Sequence, residues 1–521
     1  MGLILTALLA PALVGFPLLL ARRLSASVAG ALALGAAAVA LVATIAALAR
    51  GARVDEPWLP DLGVSLTFGA DQISGPLLIL TPAISVLVVL HGQRHLPPGG
   101  PPALYFGLLL IVETGALATF WTGDLVVFFV AFEIVLIPMW VLIHRFGDNH
   151  DPAARREAAL RFVLFTALGS SLMLAGILGL LAQAGSSSMA TVATVTIPSG
   201  TSLGLALLLV IGLGVKVPLF PLHSWLPPAH TIAPTGGSVL LAAILLKMGT
   251  YGLIRLPVAL TPAGFARLAP VLAAFGVAGI VWGGLVCLIE RDLKRLIAYS
   301  SVAHMGFVAL ALGTNSALGL QAALLANIAH GVIAALLFFV VGGLKERWGS
   351  VDLAVVRPAL RETWPGLGFA LITGLAGSVA LPGLASFWGE FLALTAAWNP
   401  AYGTAAPYAV WGPAEAVGWF GDSPADAPGL VQPGSGWDAG WVAWVPPTGF
   451  LRTLTIVAAF GAVLAAAYSL RVARLVWAGD AAPRDRAGDL TWAEWVVATV
   501  LMLAIVTLGL VPYVVYPGVG S

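Results

Sequence analysis

Residues 214–255 read GVKVPLFPLHSWLPPAHTIAPTGGSVLLAAILLKMGTYGLIR. Two lysines, Lys216 and Lys247, stand here inside hydrophobic segments, 203–220 and 238–256, in a chain of 521 residues with four lysines in all. An ionisable group at membrane depth costs about 3 kcal/mol or more, so such groups are rare unless they work. Pro218 and Pro221 follow Lys216 and remove backbone donors, so the helix that carries it breaks, unwinds or ends there. Discontinuous helices at mid-membrane tend to mark ion or substrate sites in transporters. Lys247 is mid-segment, with Arg255 nearer its outer end, so two readings stand: a buried lysine that exchanges protons and a snorkelling one.

Outward from this stretch the chain is 59% hydrophobic and 9% charged, the composition of a polytopic membrane protein. Fourteen hydrophobic runs are long enough to span a bilayer: 2–20, 25–48, 74–91, 104–121, 124–143, 159–183, 203–220, 237–256, 268–288, 293–313, 317–343, 366–397, 450–473 and 491–515. Backbone groups in lipid need internal hydrogen bonds, which makes these runs helices and the fold all-α. The first run lacks a clear cleavage site and is kept as a helix. Of the 25 Lys and Arg, 18 fall in or beside the odd-numbered loops and 5 in the even ones; the other two are Lys216 and Lys247. The positive-inside rule then puts the odd loops in the cytoplasm and both termini outside. Residues 399–448 form a Trp-, Gly- and Pro-rich insertion without Lys or Arg, which fits a surface loop on the outer face, with partner contact as the alternative. Cys287 is the one cysteine, so the chain holds no internal disulfide and no iron–sulfur cluster on its own ligands. No nucleotide-binding glycine pattern is visible, and the net charge of +1 gives no sign of nucleic-acid binding.

Further titratable groups lie in other hydrophobic runs. Residues 128–138, FFVAFEIVLIP, bury Glu133, either as a proton-exchanging carboxylate tuned by a lysine or as half of a static salt bridge. Residues 381–391, LPGLASFWGEF, place Pro382 and Gly383 as a second helix break, with Glu390 beyond it. One Pro-interrupted helix in each half of the chain is the trace of inverted repeats. His304 and His330 fall in the tenth and eleventh runs, and His223 and His230 lie beside the first break. Histidine titrates near neutral pH and relays protons, or serves as a hydrogen-bonded core residue. Glu113 and Asp124 are additional acids; Asp124 is placed to cap the fifth helix. Glu133, Lys216, Lys247 and Glu390 along the middle of a helical bundle read as an ion path, most simply for protons.

These residues resemble the antiporter-like subunits of respiratory complex I, the proton-translocating NADH–quinone oxidoreductase. The resemblance spans nearly the whole chain. It is strongest in 124–143, DLVVFFVAFEIVLIPMWVLI; in 214–255; in 291–307, RDLKRLIAYSSVAHMGF; in 327–339, NIAHGVIAALLFF; and in 381–391. Glutamate at Glu390, where sibling subunits usually have lysine, and residues 69–81, GADQISGPLLILT, resemble the branch called subunit M, or subunit 4 in mitochondria. The resemblance implies fourteen helices, with helices four to eight and nine to thirteen as inverted repeats and helices seven and twelve broken. It divides the chain into 1–103, a first half-channel at 104–258, a second at 259–475, and a last helix at 476–521. It implies Glu133 and Lys216 as a coupled pair, Lys247 as central relay, His304 and His330 as the bridge, and Glu390 as the end of the second half-channel; His223 and His230 are candidates for proton uptake.

The reading is a proton-moving subunit of bacterial complex I in the cell membrane. It would have no redox cofactor of its own, with FMN, iron–sulfur clusters and quinone in the rest of the complex, and sibling antiporter-like subunits and lipid as its partners. A subunit of a multi-chain sodium/proton antiporter, a membrane subunit of an energy-converting hydrogenase, and a structural scaffold with static buried charges are the rivals.

Overall fold

The structure is a computed structural model that describes all residues except 22, 60–62, 149, 356–357, 400–447, 480–487 and 513–521. Most of the 399–448 insertion, and Arg22, Arg357, Arg484 and Arg486 of the orientation argument, therefore lie outside the described residues.

The chain begins with α1 (Gly2–Leu20), α2 (Ala26–Ala49), β1 (Val54–Leu59), β2 (Val64–Phe68), α3 (Gly75–Gly92) and α4 (Pro102–Trp121). Next come α5 (Leu125–Ile134), α6 (Leu136–Phe146), α7 (Pro152–Ala184), the short α8 (Met189–Ala193) and α9 (Ser199–Lys216). The middle holds α10 (Leu226–Ile232), α11 (Thr235–Leu240), α12 (Leu246–Leu253), α13 (Pro262–Ile289), α14 (Leu293–Gly313) and α15 (Ala317–Trp348). The described part ends with α16 (Leu360–Thr363), α17 (Pro365–Ser378), α18 (Ser386–Trp398), α19 (Thr448–Val472) and α20 (Trp492–Leu510). Widened π turns join α11 to α12 at Leu241–Leu245 and follow α12 at Ile254–Val258.

Among the described residues, 13 helices are long and apolar enough to cross a membrane. The remaining hydrophobic run, 366–397, is split into α17 and α18, two half-length helices on either side of Pro382 and Gly383. The protein is a multi-pass helical membrane protein, and among the described residues one hairpin is the exception. That hairpin, β1 against β2, is antiparallel and lies between the second and third hydrophobic runs, where the sequence reading assigned no element. It is tied to the start of α5 by Asp124, which caps the helix through Val126 and Val127 N–H and also accepts from Ser65 N–H at 3.2 Å.

Burial locates the core. The spans Thr235–Val258 and Ala317–Trp348 are enclosed by protein along their whole apolar windows, whereas α1, α2, α7, α19 and α20 keep most of theirs at the surface. The two enclosed spans carry Lys247 and His330. Helices without an aqueous hydrophobic drive associate through close packing of small residues. Between α13 and α14 this is explicit: a Cβ on Gly276 would stand 2.6 Å from the Gly306 carbonyl oxygen, and one on Gly306 2.5 Å from that of Gly276.

Candidate functional site

The first break leaves a carbonyl that another part of the segment takes up. α9 ends at Lys216, and the backbone N–H of Leu219 reaches back to Gly214 O at 2.9 Å. The Val215 carbonyl accepts instead from the Trp225 indole N–H at 2.9 Å, so the loop after the break folds back as its own cap. Lys216 is held at this end, buried, with its ammonium 4.8 Å from the centre of the Phe132 ring. Its electrostatic partner is Glu133, which acts through space; the Glu133 carboxylate takes a hydrogen bond from the Ser170 hydroxyl on α7. The sequence reading of Glu133 as a buried group is corrected: it is half-buried, on the stripe of α5 and α6 where Val130 and Ile137 are 46% and 58% exposed. Residues three before and four after lie on its own helix face, and among the described residues nothing fully covers that face.

The centre is enclosed. Lys247 follows the π turn at Leu241–Leu245 and has no exposed surface. Its ammonium donates to Ala242 O, five residues back, at 2.9 Å and lies 2.5 Å from His330 Nδ1. This geometry excludes snorkelling. With Lys247 as an ammonium, which can only donate, His330 accepts at Nδ1 and carries its proton on Nε2, which has no partner among the described residues; with Lys247 neutral, the Nδ1–H can donate to the amine. The His330 and His304 rings are 5.7 Å apart, centre to centre. His304 Nδ1 lies 3.0 Å from Glu390 Oε1 and its Nε2 lies 2.8 Å from Ser378 Oγ. A neutral His304 protonated at Nδ1 donates to Glu390 and accepts from Ser378; the imidazolium donates to both.

The second break sets Glu390 against this ring. Gly383 adopts φ +87°, a conformation that favours glycine, between the end of α17 and the start of α18. Gly509 of α20 packs directly on Gly383, and the Trp388 indole donates to Gly509 O at 2.8 Å. Gly389 brings α18 onto α15 so closely that a Cβ there would lie 2.5 Å from Ala326 Cα.

His230 is fully buried, stacked on Phe338 with ring centres 4.5 Å apart, and neither ring nitrogen has a partner among the described residues. It lies within electrostatic reach of both Lys247 and Lys294. Lys294, read from sequence as a basic group near a polar loop, is buried, and its ammonium donates to Ala233 O at 2.6 Å. His223 stands apart, packed against Phe220 and Tyr299.

Several partners escaped the sequence reading. Arg255 is buried and paired with Asp71 rather than turned outward. Burial pushes the Asp71 carboxyl up, but the guanidinium beside it and the bonds it accepts leave it below its ordinary value. Near the Lys/Arg-rich ends of the helices, Lys345 of α15 pairs with Asp148 after α6. Ser170, Ser378 and Tyr468 also line the row, and hydroxyls carry no hydropathy signal that would have marked them. Among the described residues no three His, Cys, Asp or Glu side chains are grouped to hold a metal. The arrangement places titratable groups at three stations: Glu133 with Lys216, Lys247 with His330 at the enclosed centre, and His304 with Glu390.

Comparison with known proteins fits this arrangement. The family model described as NADH:quinone oxidoreductase/Mrp antiporter, transmembrane, matches residues 122–410. The NAD(P)H-quinone oxidoreductase chain 4 1 of Synechococcus sp. (strain JA-3-3Ab) is 34% identical over 462 residues, 87% of this chain and 78% of that one. The chain 4 2 of Thermosynechococcus vestitus is 37% identical over 345 residues, 65% of this chain and 63% of that one. In structure, a chain of respiratory complex I from Thermus thermophilus with bound NADH is similar with a TM-score of 0.80 and 27% identity, covering 98% of this chain and 96% of that one. A chain of the Mrp complex from Dietzia sp. DQ12-45-1b shares the fold, with a TM-score of 0.77 and 22% identity over 99% of this chain and 51% of that one. The chain belongs to the NADH:quinone oxidoreductase/Mrp antiporter transmembrane family, and within it to the relatives of NAD(P)H-quinone oxidoreductase chain 4.

Proposed function

We propose that this chain is a proton-translocating membrane-arm subunit of a bacterial NADH–quinone oxidoreductase. Protons move along Glu133, Lys216, Lys247, His330, His304 and Glu390, driven by quinone reduction elsewhere in the complex. The observation that carries the reading is the enclosed centre, where Lys247 meets His330 at 2.5 Å and His304 meets Glu390 at 3.0 Å. Static scaffolding is a poor account of it, because buried charge is a costly way to gain stability. The gap between the two imidazoles is of a size that one water or a ring rotation spans. FMN, iron–sulfur clusters and quinone belong to other chains of the complex; this chain contributes no redox group.

The Lys/Arg-rich loops face the cytoplasm and both termini face outward. Proton uptake then runs past Lys294 and His230 to the centre, which is supported by the position of His230 between the charges of Lys294 and Lys247; His223 is the outlying member of that inlet. Sibling membrane subunits are the partners. The half-buried Glu133 with exposed Val130 and Ile137 beside it supports a neighbouring subunit on that face.

The test is Glu390→Gln against Glu390→Asp in the whole complex, in inverted vesicles. Glutamine keeps the shape without titrating and is expected to lose most coupled turnover, while aspartate keeps part of it. Wild-type acidification by the glutamine variant would make Glu390 a structural hydrogen-bonding residue.

A further inference from the structure

The second half of the row has a hydroxyl cluster that the series of Glu, Lys and His does not use. Tyr468, on α19, is 1% exposed, and its hydroxyl makes no closed hydrogen bond among the described residues. Buried tyrosine hydroxyls normally have a partner. Its hydroxyl has two others within reach, Ser378 at the end of α17 and Ser300 on α14, and Glu390 lies within electrostatic range. Ser378 is the residue bonded to His304 Nε2 at 2.8 Å. Ser300 donates to Ile297 O at 2.9 Å, which leaves its oxygen free to accept. One turn further along α19, the Arg471 guanidinium donates to the Cys287 and Glu290 carbonyls at 3.2 and 2.8 Å, at the Lys/Arg-rich end of α13. Tyr468 thus lies one turn of α19 from that end of the bundle and near the His304–Glu390 pair, with hydroxyl neighbours on two helices and a closed bond to neither.

We infer that Tyr468 is a proton-relay residue of the second half, passing protons between the Lys/Arg-rich end of α13, α14 and α19 and the His304–Glu390 pair by way of Ser378. In each hop the phenol oxygen gains one proton as it gives up its own; one O–H bond forms, another breaks, and no phenolate results. Ser300 is the second partner to which the hydroxyl turns between hops. This gives the second half its own link to that face, separate from the Lys294–His230 inlet. The inference rests on the proton-path reading above.

Tyr468→Phe keeps the ring and removes only the O–H. In inverted vesicles carrying the whole complex, it is expected to assemble on native gels and to lose coupled NADH–quinone turnover by about threefold or more. Its solvent deuterium isotope effect is expected to rise above that of the wild type, because proton delivery becomes slower than the steps around it. A loss with an unchanged isotope effect would reduce Tyr468 to a packing role, and wild-type turnover would overturn the relay outright. Should the phenylalanine variant fail to assemble, Ser300→Ala gives the same reading, with the rise in isotope effect as the deciding result. Glu390→Gln is run in parallel. Loss there with none in Tyr468→Phe removes only the relay, and wild-type behaviour in both removes the proton path itself.

Discussion

The two ends of the titratable row are built differently. At the Glu133 end the carboxylate is half-buried, is steadied by one serine, and interacts with Lys216 through space. At the Glu390 end the carboxylate is buried and in contact with His304, whose other nitrogen is bonded to Ser378. Among the described residues the first end is half-exposed and the second is enclosed. The breaks differ in the same sense. The first is capped from within its own segment, by Trp225 on Val215 O, whereas at the second Trp388 of α18 donates to Gly509 O of α20, which packs on Gly383. On the proposed function, a half-exposed carboxylate is suited to respond to a neighbouring subunit, whereas an enclosed one responds to what arrives along the row.

The largest effect should come from the enclosed centre. Lys247→Met is expected to assemble and to lose coupled turnover by about tenfold or more, since an enclosed proton carrier is deleted. Lys247→Arg should fare little better, because arginine keeps the charge without releasing its proton. NADH oxidation and acidification in vesicles decide it: an active arginine form would make the site electrostatic, and an active methionine form would uncouple the two ends from any common centre. Next in size is a matched pair of serine deletions. Ser378→Ala should lower turnover by about threefold and Ser170→Ala by less than about twofold, because only the enclosed end depends wholly on partners within the chain. Equal losses would erase the distinction between the ends.

Stability effects are smaller. Trp225→Phe leaves the Val215 carbonyl without its donor and should destabilise the protein by about 1 kcal/mol. Trp388→Phe, at the half-buried second break, should cost less, and thermal unfolding of the purified complex ranks the two. A larger shift for Trp388→Phe would mean that the tie between α18 and α20 matters more than the local cap. The smallest effect belongs to a staple outside the row, His95 against Glu346, which joins the end of α3 to α15 at 2.5 Å. The hydrogen bond to Glu346 raises the His95 pKa above its ordinary value. Its contribution is therefore fully present below about pH 6.5, the ordinary histidine value, and is lost as pH rises through the raised one. The melting-temperature gap between wild type and His95→Gln should be widest in acid and close in alkali; a gap independent of pH would assign it to packing.

Part of this protein was legible in its residues because the relevant properties are local. Run length against bilayer thickness gave the number of crossings. Prolines mark both breaks because a missing N–H is lost wherever the chain goes. Glu133, Lys216, Lys247 and Glu390 stood out because charge at membrane depth is costly in any arrangement. The hairpin at Val54–Phe68 was missed, since Pro57 and a mostly exposed first strand give little strand signal.

What tertiary structure alone decided is which of these groups meet. Lys247 and His330 are 83 positions apart, His304 and Glu390 86, and Asp71 and Arg255 184. A contact over such separations depends on how each helix is rotated about its axis, and that follows from close packing against neighbours, not from a helix's own sequence. The same rotation turned Arg255 and Lys294 inward, where sequence placed them near the ends, and left Glu133 half-exposed where sequence buried it. Hydropathy measures whether a segment enters the bilayer; only the packed bundle determines which side of it faces protein and which faces lipid.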